Sequence, residues 1–513
     1  MPEYLRALIF VLILSSATWM VIQSSTIHTT SSATARQWRN LWFGISTIAF
    51  VANSFWFYSI VVSLIFLIHR PTPIKALAFY ALLLTTVPAA QIIVPGFGLV
   101  NYLFLLNQPK LLALILLLPA AIVIAGQKKS ANIGKNSTDK FFLAYILLAA
   151  ALQLRESTLT DALRNCFYLF INTFLPYYVA SRALRYIEDF RAFMTAFCTS
   201  MALFGTIAVF EMFKHWNLYN GMAQMLGIEW GLGGYLSRDG LLRAHVTTGQ
   251  PIALGYIMSI GLAFQLYLLQ AKEAGRRRSI FYWAPAILIA SGLLASLSRG
   301  PWVGMAATLI AFTLTGKSGP QNTAKLGVIF IITLGILSIF EFGQKFVDML
   351  PYIGNVDKGN ITYREDLFSN ALIVIKRNLW FGSIDYLKTE EMLRMVQGQQ
   401  IIDLVNTYLG VTLDHGLFGL LSFSGIFLSV LWKIWSVQRR LPTESEERIL
   451  GRCIMSAIFG TMITIATVSS ISFIPYVYWL VVGSGVAWLE MIRQKQSRLN
   501  KAVRRQEIEI INQ

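Results

Sequence analysis

The chain has 513 residues, of which 55% are hydrophobic and only 13% charged, whereas a soluble globular protein carries about 25% charged residues. No packed soluble core hides that much apolar surface, so a bilayer must be the solvent for most of the chain. The net charge of +17 then becomes a question of sidedness, and nucleic-acid binding, the reading a basic soluble protein invites, is set aside.

A hydrocarbon core about 30 Å thick takes ~20 mostly apolar residues per helix. Fourteen such stretches follow one another, at 5–23, 45–68, 74–92, 108–126, 141–154, 162–181, 192–212, 250–271, 279–297, 301–316, 325–342, 405–433, 452–471 and 473–493. The weakest of these are 45–68, 108–126 and 141–154, so twelve or thirteen spans are the alternative, and 45–68 also reads as two pieces broken near Asn53. The first stretch reads as a retained helix. Arg6 precedes it and Ala33-Thr34-Ala35 has the form of a cleavage site, but about a dozen polar residues separate the two. Cys166, Cys198 and Cys453 each lie in an apolar segment and form neither a disulfide framework nor a metal-ligand spacing.

The loops supply the orientation, because Lys and Arg concentrate on the cytoplasmic side. With the N-terminus in the cytoplasm and sides alternating through fourteen spans, the cytoplasmic segments hold 27 of the 43 basic residues and 11 of the 26 acidic ones, a net +16 against +1 outside. The densest runs are Lys272 to Arg278, Lys128-Lys129 and Arg439-Arg440. This divides the chain into N-terminal membrane helices (1–160), a membrane core (161–342) with an outer loop at 213–249, a long outer loop (343–404), C-terminal membrane helices (405–493) and a basic cytoplasmic tail (494–513).

No cytoplasmic segment is long enough for a nucleotide-binding domain. Gly316-Lys317-Ser318 ends like a phosphate-binding loop, but Ala311 stands where the first glycine is required, on a membrane helix. Gly96-Phe97-Gly98 lacks the third glycine of a dinucleotide fingerprint. Any chemistry must therefore draw on an ion gradient or an already activated substrate.

The outer segments are richer. Thr362 with Glu365 reads as a capping box opening an amphipathic helix that runs to Trp380, and Thr389 ahead of Glu390-Glu391 reads as a second helix start. Four polar groups stand out. Arg238-Asp239-Gly240-Leu-Leu-Arg243-Ala-His245 precedes the span at 250. Ser298-Arg299-Gly300-Pro301 joins two spans, with Pro301 in the first turn of the second and Gly300 available for a sharp reversal. Tyr363-Arg364-Glu365-Asp366 opens the loop helix. Asp403, Asn406 or Thr407, Gly410 and Asp414, followed by His415, recur at helical spacing as one polar stripe on an apolar helix. Each arginine also reads as an interfacial anchor, and the acids of the loop helix as partners of its dipole. Three outward arginines with carboxylates nearby describe a site for an anion such as a phosphate, which the guanidinium fork matches.

The order Arg243, Ser298-Arg299-Gly300, a large outer loop opening on Arg364, Asn406-x-Tyr408-Leu and Gly416-Leu-Phe-Gly419 resembles the O-antigen ligase and O-antigen polymerase superfamily of bacterial membrane glycosyltransferases, firmly over 165–433. The resemblance implies an all-α polytopic membrane helix bundle of about 12–14 spans with a helical periplasmic loop. It implies transfer of a glycan from undecaprenyl diphosphate to a sugar hydroxyl on the periplasmic face of the inner membrane. The acceptor is another lipid-linked repeat unit or lipid A–core, and no metal or cofactor is required.

By the same resemblance Arg243, Arg299 and Arg364 hold the lipid diphosphate. Many ligases carry His-Asn where this chain has Val405-Asn406. Catalysis is therefore assigned to Asp403, Asn406 and His415, with Asp403 preferred as base and His415, about a dozen residues further along, second. The missing histidine favours polymerisation or exopolysaccharide transfer over a lipid A–core ligase. A transporter or lipid-linked sugar flippase is the alternative from another class, and a non-catalytic assembly scaffold a third; no internal repeat supports the transporter.

Overall fold

The computed structural model describes residues 1–511 except 99, 128–132, 157, 229, 231–233, 239, 272–279, 349–357 and 398–400. Asp239 and the basic runs at 128–129 and 272–278 lie outside the described residues.

The chain is almost entirely helical. Its first part comprises α1 (Glu3–Thr29), α2 (Ser32–Val51), α3 (Phe55–His69), α4 (Pro73–Leu83), a hairpin of β1 (Ile92–Pro95) and β2 (Tyr102–Leu106), α5 (Gln108–Leu112), α6 (Leu118–Ala125) and α7 (Ser137–Leu152). Then come α8 (Leu159–Leu169), α9 (Leu175–Ala183), α10 (Ile187–Lys214), α11 (Tyr219–Leu226), the two-residue strands β3 (Ser237–Arg238) and β4 (Leu241–Leu242), α12 (Pro251–Gln270), α13 (Ile280–Ala295) and α14 (Arg299–Leu314). The last part holds α15 (Gly319–Leu337), α16 (Glu341–Asp348), α17 (Lys358–Arg377), α18 (Glu390–Leu393), α19 (Thr407–Gln438), α20 (Glu446–Ile465) and α21 (Ile474–Ile511).

Every stretch expected to span contains helix, yet among the described residues only eight helices are long and apolar enough to cross a bilayer. Broken or shortened helices account for most of the difference. The 45–68 stretch divides into α2 and α3 at Asn53, whose φ of 53° no helix continues through, and Ser54 caps the new start. The 74–92 stretch is helical only to Leu83 and then turns into β1, whose register with β2 shifts between Val94 and Pro95. π-Helical turns at Ala113–Leu117 and Phe170–Phe174 join α5 to α6 and α8 to α9, each just ahead of a proline that withholds a backbone N–H. The basic tail is no separate element, since α21 continues unbroken to Ile511.

Helix caps follow the sequence: Ser31, Asn107, Asn136, Thr158 and Ser445 side chains each accept a first-turn N–H. Two expectations are corrected. Thr362 does not open the loop helix, because α17 already begins at Lys358. Gly300 does not make the reversal before α14; Leu297, at φ 44°, makes it. Gly300 is needed instead for contact, since a Cβ there would lie 2.8 Å from Thr467 Oγ1.

α10 and α12 form the buried centre. Small residues let neighbours close on them: a Cβ on Gly292 of α13 would lie 2.7 Å from the Gly205 Cα of α10. α14 and α20 close through Gly304 and Gly460, a Cβ on either colliding with the threonine opposite, Thr464 or Thr308. α15, by contrast, buries only Gly319. We expect Gly304→Val and Gly460→Val each to cost ~1–3 kcal/mol through overpacking. Thermal unfolding in detergent micelles should show lowered Tm values for both, while Gly327→Val on α15, with open space around it, leaves Tm unchanged.

Candidate active site

A cavity of about 650 Å³ lies where α7, the start of α12, the end of the 343–404 loop, the first turns of α19 and the α20–α21 turn meet. Arg243, Asp403, Asn406 and His415 line it, four of the six residues nominated from the sequence; Arg299 and Arg364 do not. We call this the loop end of the bundle.

Arg243 is placed by the β3–β4 turn, which reverses at Gly240 with φ 77°, and by its own N–H on the Leu236 carbonyl (2.9 Å). Its guanidinium donates to Ser298 Oγ (3.1 Å), and Arg238 donates to the Leu297 carbonyl (2.7 Å). The two arginines thus hold the strained turn ahead of Arg299. Burial, then the charge of Arg238, pulls Arg243 down to about 10, which leaves it cationic at neutral pH. Among the described residues its buried Nε finds no acceptor, a demand that an anion in the cavity would satisfy.

The segment carrying Arg243 hangs on Glu211 at the end of α10. The carboxyl oxygens of this fully buried side chain accept the backbone N–H of Leu218 and of Val246, both at 3.0 Å. Burial also drives the neighbouring His245 down to about 4, so it is neutral at pH 7. Glu211 was missed in the sequence, although a lone acid at the end of an apolar span was itself a signal.

The polar stripe converges as expected, though not on one continuous helix. Asp403 lies before α19, with Oδ1 accepting the Ser469 hydroxyl (2.6 Å) and the Val405 N–H (3.1 Å); Oδ2 takes no hydrogen bond among the described residues. Val405 sits at φ 43°, and Asn406 is the N-cap, its Oδ1 accepting from Tyr408 and Leu409. Asn406 thereby shapes the wall of the cavity. Asp414 and His415 follow two turns on, His415 Nδ1 3.5 Å from Asp414 Oδ2 and buried without a hydrogen bond. Tyr386, from the loop, faces Asp414; burial and that charge push its hydroxyl up to about 12, keeping it a donor. His415 is within reach of the cavity because α19 starts at Thr407, further along the chain than the stripe implied.

α19 breaks immediately after His415. Gly416 has φ 67° and ψ −165°, a region open to glycine alone. The loop segment 379–383 inserts at the break. Leu417 and Phe418 donate to the Leu379 and Trp380 carbonyls (2.9 and 3.3 Å), and Ser383 donates to the Leu413 carbonyl (2.8 Å). Arg155, between α7 and α8, donates to the carbonyls of Phe381 (3.2 Å), Gly382 (2.9 Å) and Asp414 (3.1 Å). A Cβ on Gly416 would strike the Trp380–Phe381 peptide. Arg155 was not nominated, since an arginine between two short apolar runs looks like any interfacial anchor.

Arg364 is exposed and donates to the Thr467 carbonyl (3.3 Å). Arg299 opens α14 beside Gly300, which packs on the same Thr467. Arg364 thus reaches the α20–α21 turn, whose Ser469 and Ser470 line the cavity, and Arg299 lies next in the chain to the glycine that packs on that turn; neither lines the cavity. Among the described residues no group of His, Cys, Asp or Glu is arranged to hold a metal.

Gly416→Ala should cost ~1–3 kcal/mol from its backbone conformation alone, and Arg155→Gln a similar ~1.5–3 kcal/mol through its hydrogen bonds. Both should lower Tm in detergent and speed amide exchange over 379–383. Gly410→Ala, which meets only the Leu404 side chain at 3.1 Å, should do neither.

No curated protein matches the chain. Residues 284–424 match the family model described as O-Antigen ligase, a stretch that takes in Arg299, Arg364, Asp403, Asn406 and His415 and leaves Arg243 outside. Over that stretch the chain is similar to the O-antigen ligases, which supports the resemblance to the O-antigen ligase and polymerase superfamily and a membrane protein of polysaccharide biosynthesis.

Proposed function

We propose that this protein is a glycosyltransferase that moves a glycan from undecaprenyl diphosphate to a sugar hydroxyl on the periplasmic face of the inner membrane, building O-antigen or exopolysaccharide. The observation that carries the reading is the cavity itself. It sets a cationic Arg243 with an unsatisfied buried N–H opposite two carboxylates, Asp403 and Asp414, where membrane helices meet the loop. A lipid-linked donor needs that combination, with an anion site for the diphosphate and a proton acceptor for the incoming hydroxyl.

In the proposed step the acceptor oxygen attacks the anomeric carbon as the bond from that carbon to the diphosphate oxygen breaks. Undecaprenyl diphosphate leaves with the bonding electrons, and the hydroxyl proton passes to Asp403 Oδ2. Arg243 neutralises charge gathering on the leaving group, while Arg299 and Arg364 take phosphate or its approach at the cavity edge. The Ser469 and Val405 donors fix Asp403 through Oδ1 and leave Oδ2 for the proton, as a general base requires. His415 is the second candidate, less suited because its Nδ1 is buried against Asp414. The loop end is assigned to the periplasm by the charge partition, +16 against +1. Val405 in place of histidine favours a polymerase over a lipid A–core ligase.

Purified protein given lipid-linked repeat units alone should lengthen them. Product only when lipid A–core is added would make it a ligase, and movement of labelled donor across a bilayer without elongation would make it a flippase. Asp403→Asn should slow transfer by ~10²-fold or more, the usual scale for a lost general base, and Arg243→Ala and Arg299→Ala should shorten surface glycan. Wild-type polymer from normally expressed Arg243→Ala and Arg299→Ala variants would overturn the anion assignment. For sidedness, Lys388→Cys should react with an impermeant maleimide from outside the inner membrane, and Lys501→Cys only after permeabilisation.

A further inference from the structure

At the end of the bundle opposite the candidate active site, a second cavity of about 340 Å³ opens between the start of α7, the end of α9, the last turns of α19 and the middle of α21. Its floor is apolar, made by Val437, Val486 and Leu489, and its rim is charged.

One buried ion pair anchors it. Arg182 donates to Asp139 Oδ2 (2.6 Å), the two side chains 7% and 1% exposed. Asp139 is fully subscribed: Oδ2 also accepts from Asn136 Nδ2 (3.0 Å) and the Gly134 N–H (3.2 Å), and Oδ1 accepts the Tyr177 hydroxyl (2.6 Å). A pair so well hydrogen-bonded is neutral as a unit. Arg493 is likewise matched by Glu490 (2.8 Å).

What remains is positive. Lys433 is half-buried in the wall and makes no hydrogen bond or close ion pair among the described residues; the one carboxylate that attracts it is the committed Asp139. Lys135 stands on the rim, also without such a bond. Arg185 also lines the cleft and donates to Gln127 (2.6 Å). The cleft therefore carries two lysines with no bonded carboxylate among the described residues, around a space with an apolar base and at the ends of membrane helices. Basic pockets between membrane helices take anionic headgroups on this principle, each Lys or Arg near the surface contributing ~1 kcal/mol.

We propose that this cleft is a binding site for a phosphate group, distinct from the donor site, with Lys433 and Lys135 as its ligating cations. The chemistry has two sources, an anionic phospholipid headgroup or free phosphate in solution.

The test uses full-length protein in nanodiscs of phosphatidylcholine, doped with phosphatidylglycerol, with bound lipid read by native mass spectrometry. Wild type should retain phosphatidylglycerol over phosphatidylcholine, and Lys433→Gln/Lys135→Gln should weaken retention about tenfold. Lys317→Gln, at the same end but outside the cleft and paired with Glu444, should bind as wild type. A parallel titration with inorganic phosphate, read by thermal shift, assigns the source: stabilisation lost in the double variant, without lipid preference, identifies soluble phosphate. Equal retention of both lipids with no phosphate effect, or a folded double variant that binds like wild type, overturns the site.

Discussion

A backbone break inside a membrane helix must be repaired by protein, because lipid offers no hydrogen bonds, and the break at Gly416 sets the form of this molecule's candidate site. Four polar groups exposed by the break find partners in segment 379–383 and in Arg155. The long loop is thus part of the membrane fold. α17 and α18 pack Leu367, Ala371, Val374 and Met392 against Leu409 and Leu413 of α19, so the loop clasps the same two turns that present Asn406, Gly410 and Asp414 to the cavity. Gly382, at φ 65°, lets the chain pass against the Asp414 backbone, where any Cβ would collide.

The electrostatics of the cavity follow from what it leaves unpaired. Among the described residues no carboxylate pairs with Arg243; its guanidinium donates to a serine hydroxyl, and its field is opposed by Arg238. The carboxylates sit across the cavity on α19 and just before it. On the proposed reading, an arriving diphosphate satisfies Arg243 while Asp403, on another wall of the same cavity, meets the incoming hydroxyl.

The spans were legible because apolar runs are a composition signal that tertiary packing does not override. The polar stripe was legible for a related reason: Asp403, Asn406, Gly410 and Asp414 are conspicuous against Leu, Val and Phe. What stayed hidden was geometry. Asn406 caps the helix, so the stripe is reached partly through a loop with Val405 at positive φ. Gly300 looked like a turn residue and is a packing residue, since a missing side chain serves either purpose. Arg155 and Arg364 carry no local mark separating a clamp on backbone carbonyls from an interfacial anchor. Arg299 and Arg364 were nominated alongside Arg243, yet do not line the cavity, because order along the chain says nothing of which arginine faces inward.

The two ends of the bundle treat a buried cation differently. At Asp139–Arg182 the guanidinium has its carboxylate and the carboxylate has every acceptor site filled, the arrangement that repays desolvation. At Arg243 the desolvation is incurred and the buried Nε meets no acceptor among the described residues. On the proposed reading an anion from outside completes that network. Local rules are broken where function requires it, and on the proposed reading the Arg243 Nε marks such a place. The two clefts differ in the same respect: Lys433, half-buried in the wall, and Lys135, on the rim, keep access to solvent, whereas the Arg243 Nε is a buried donor.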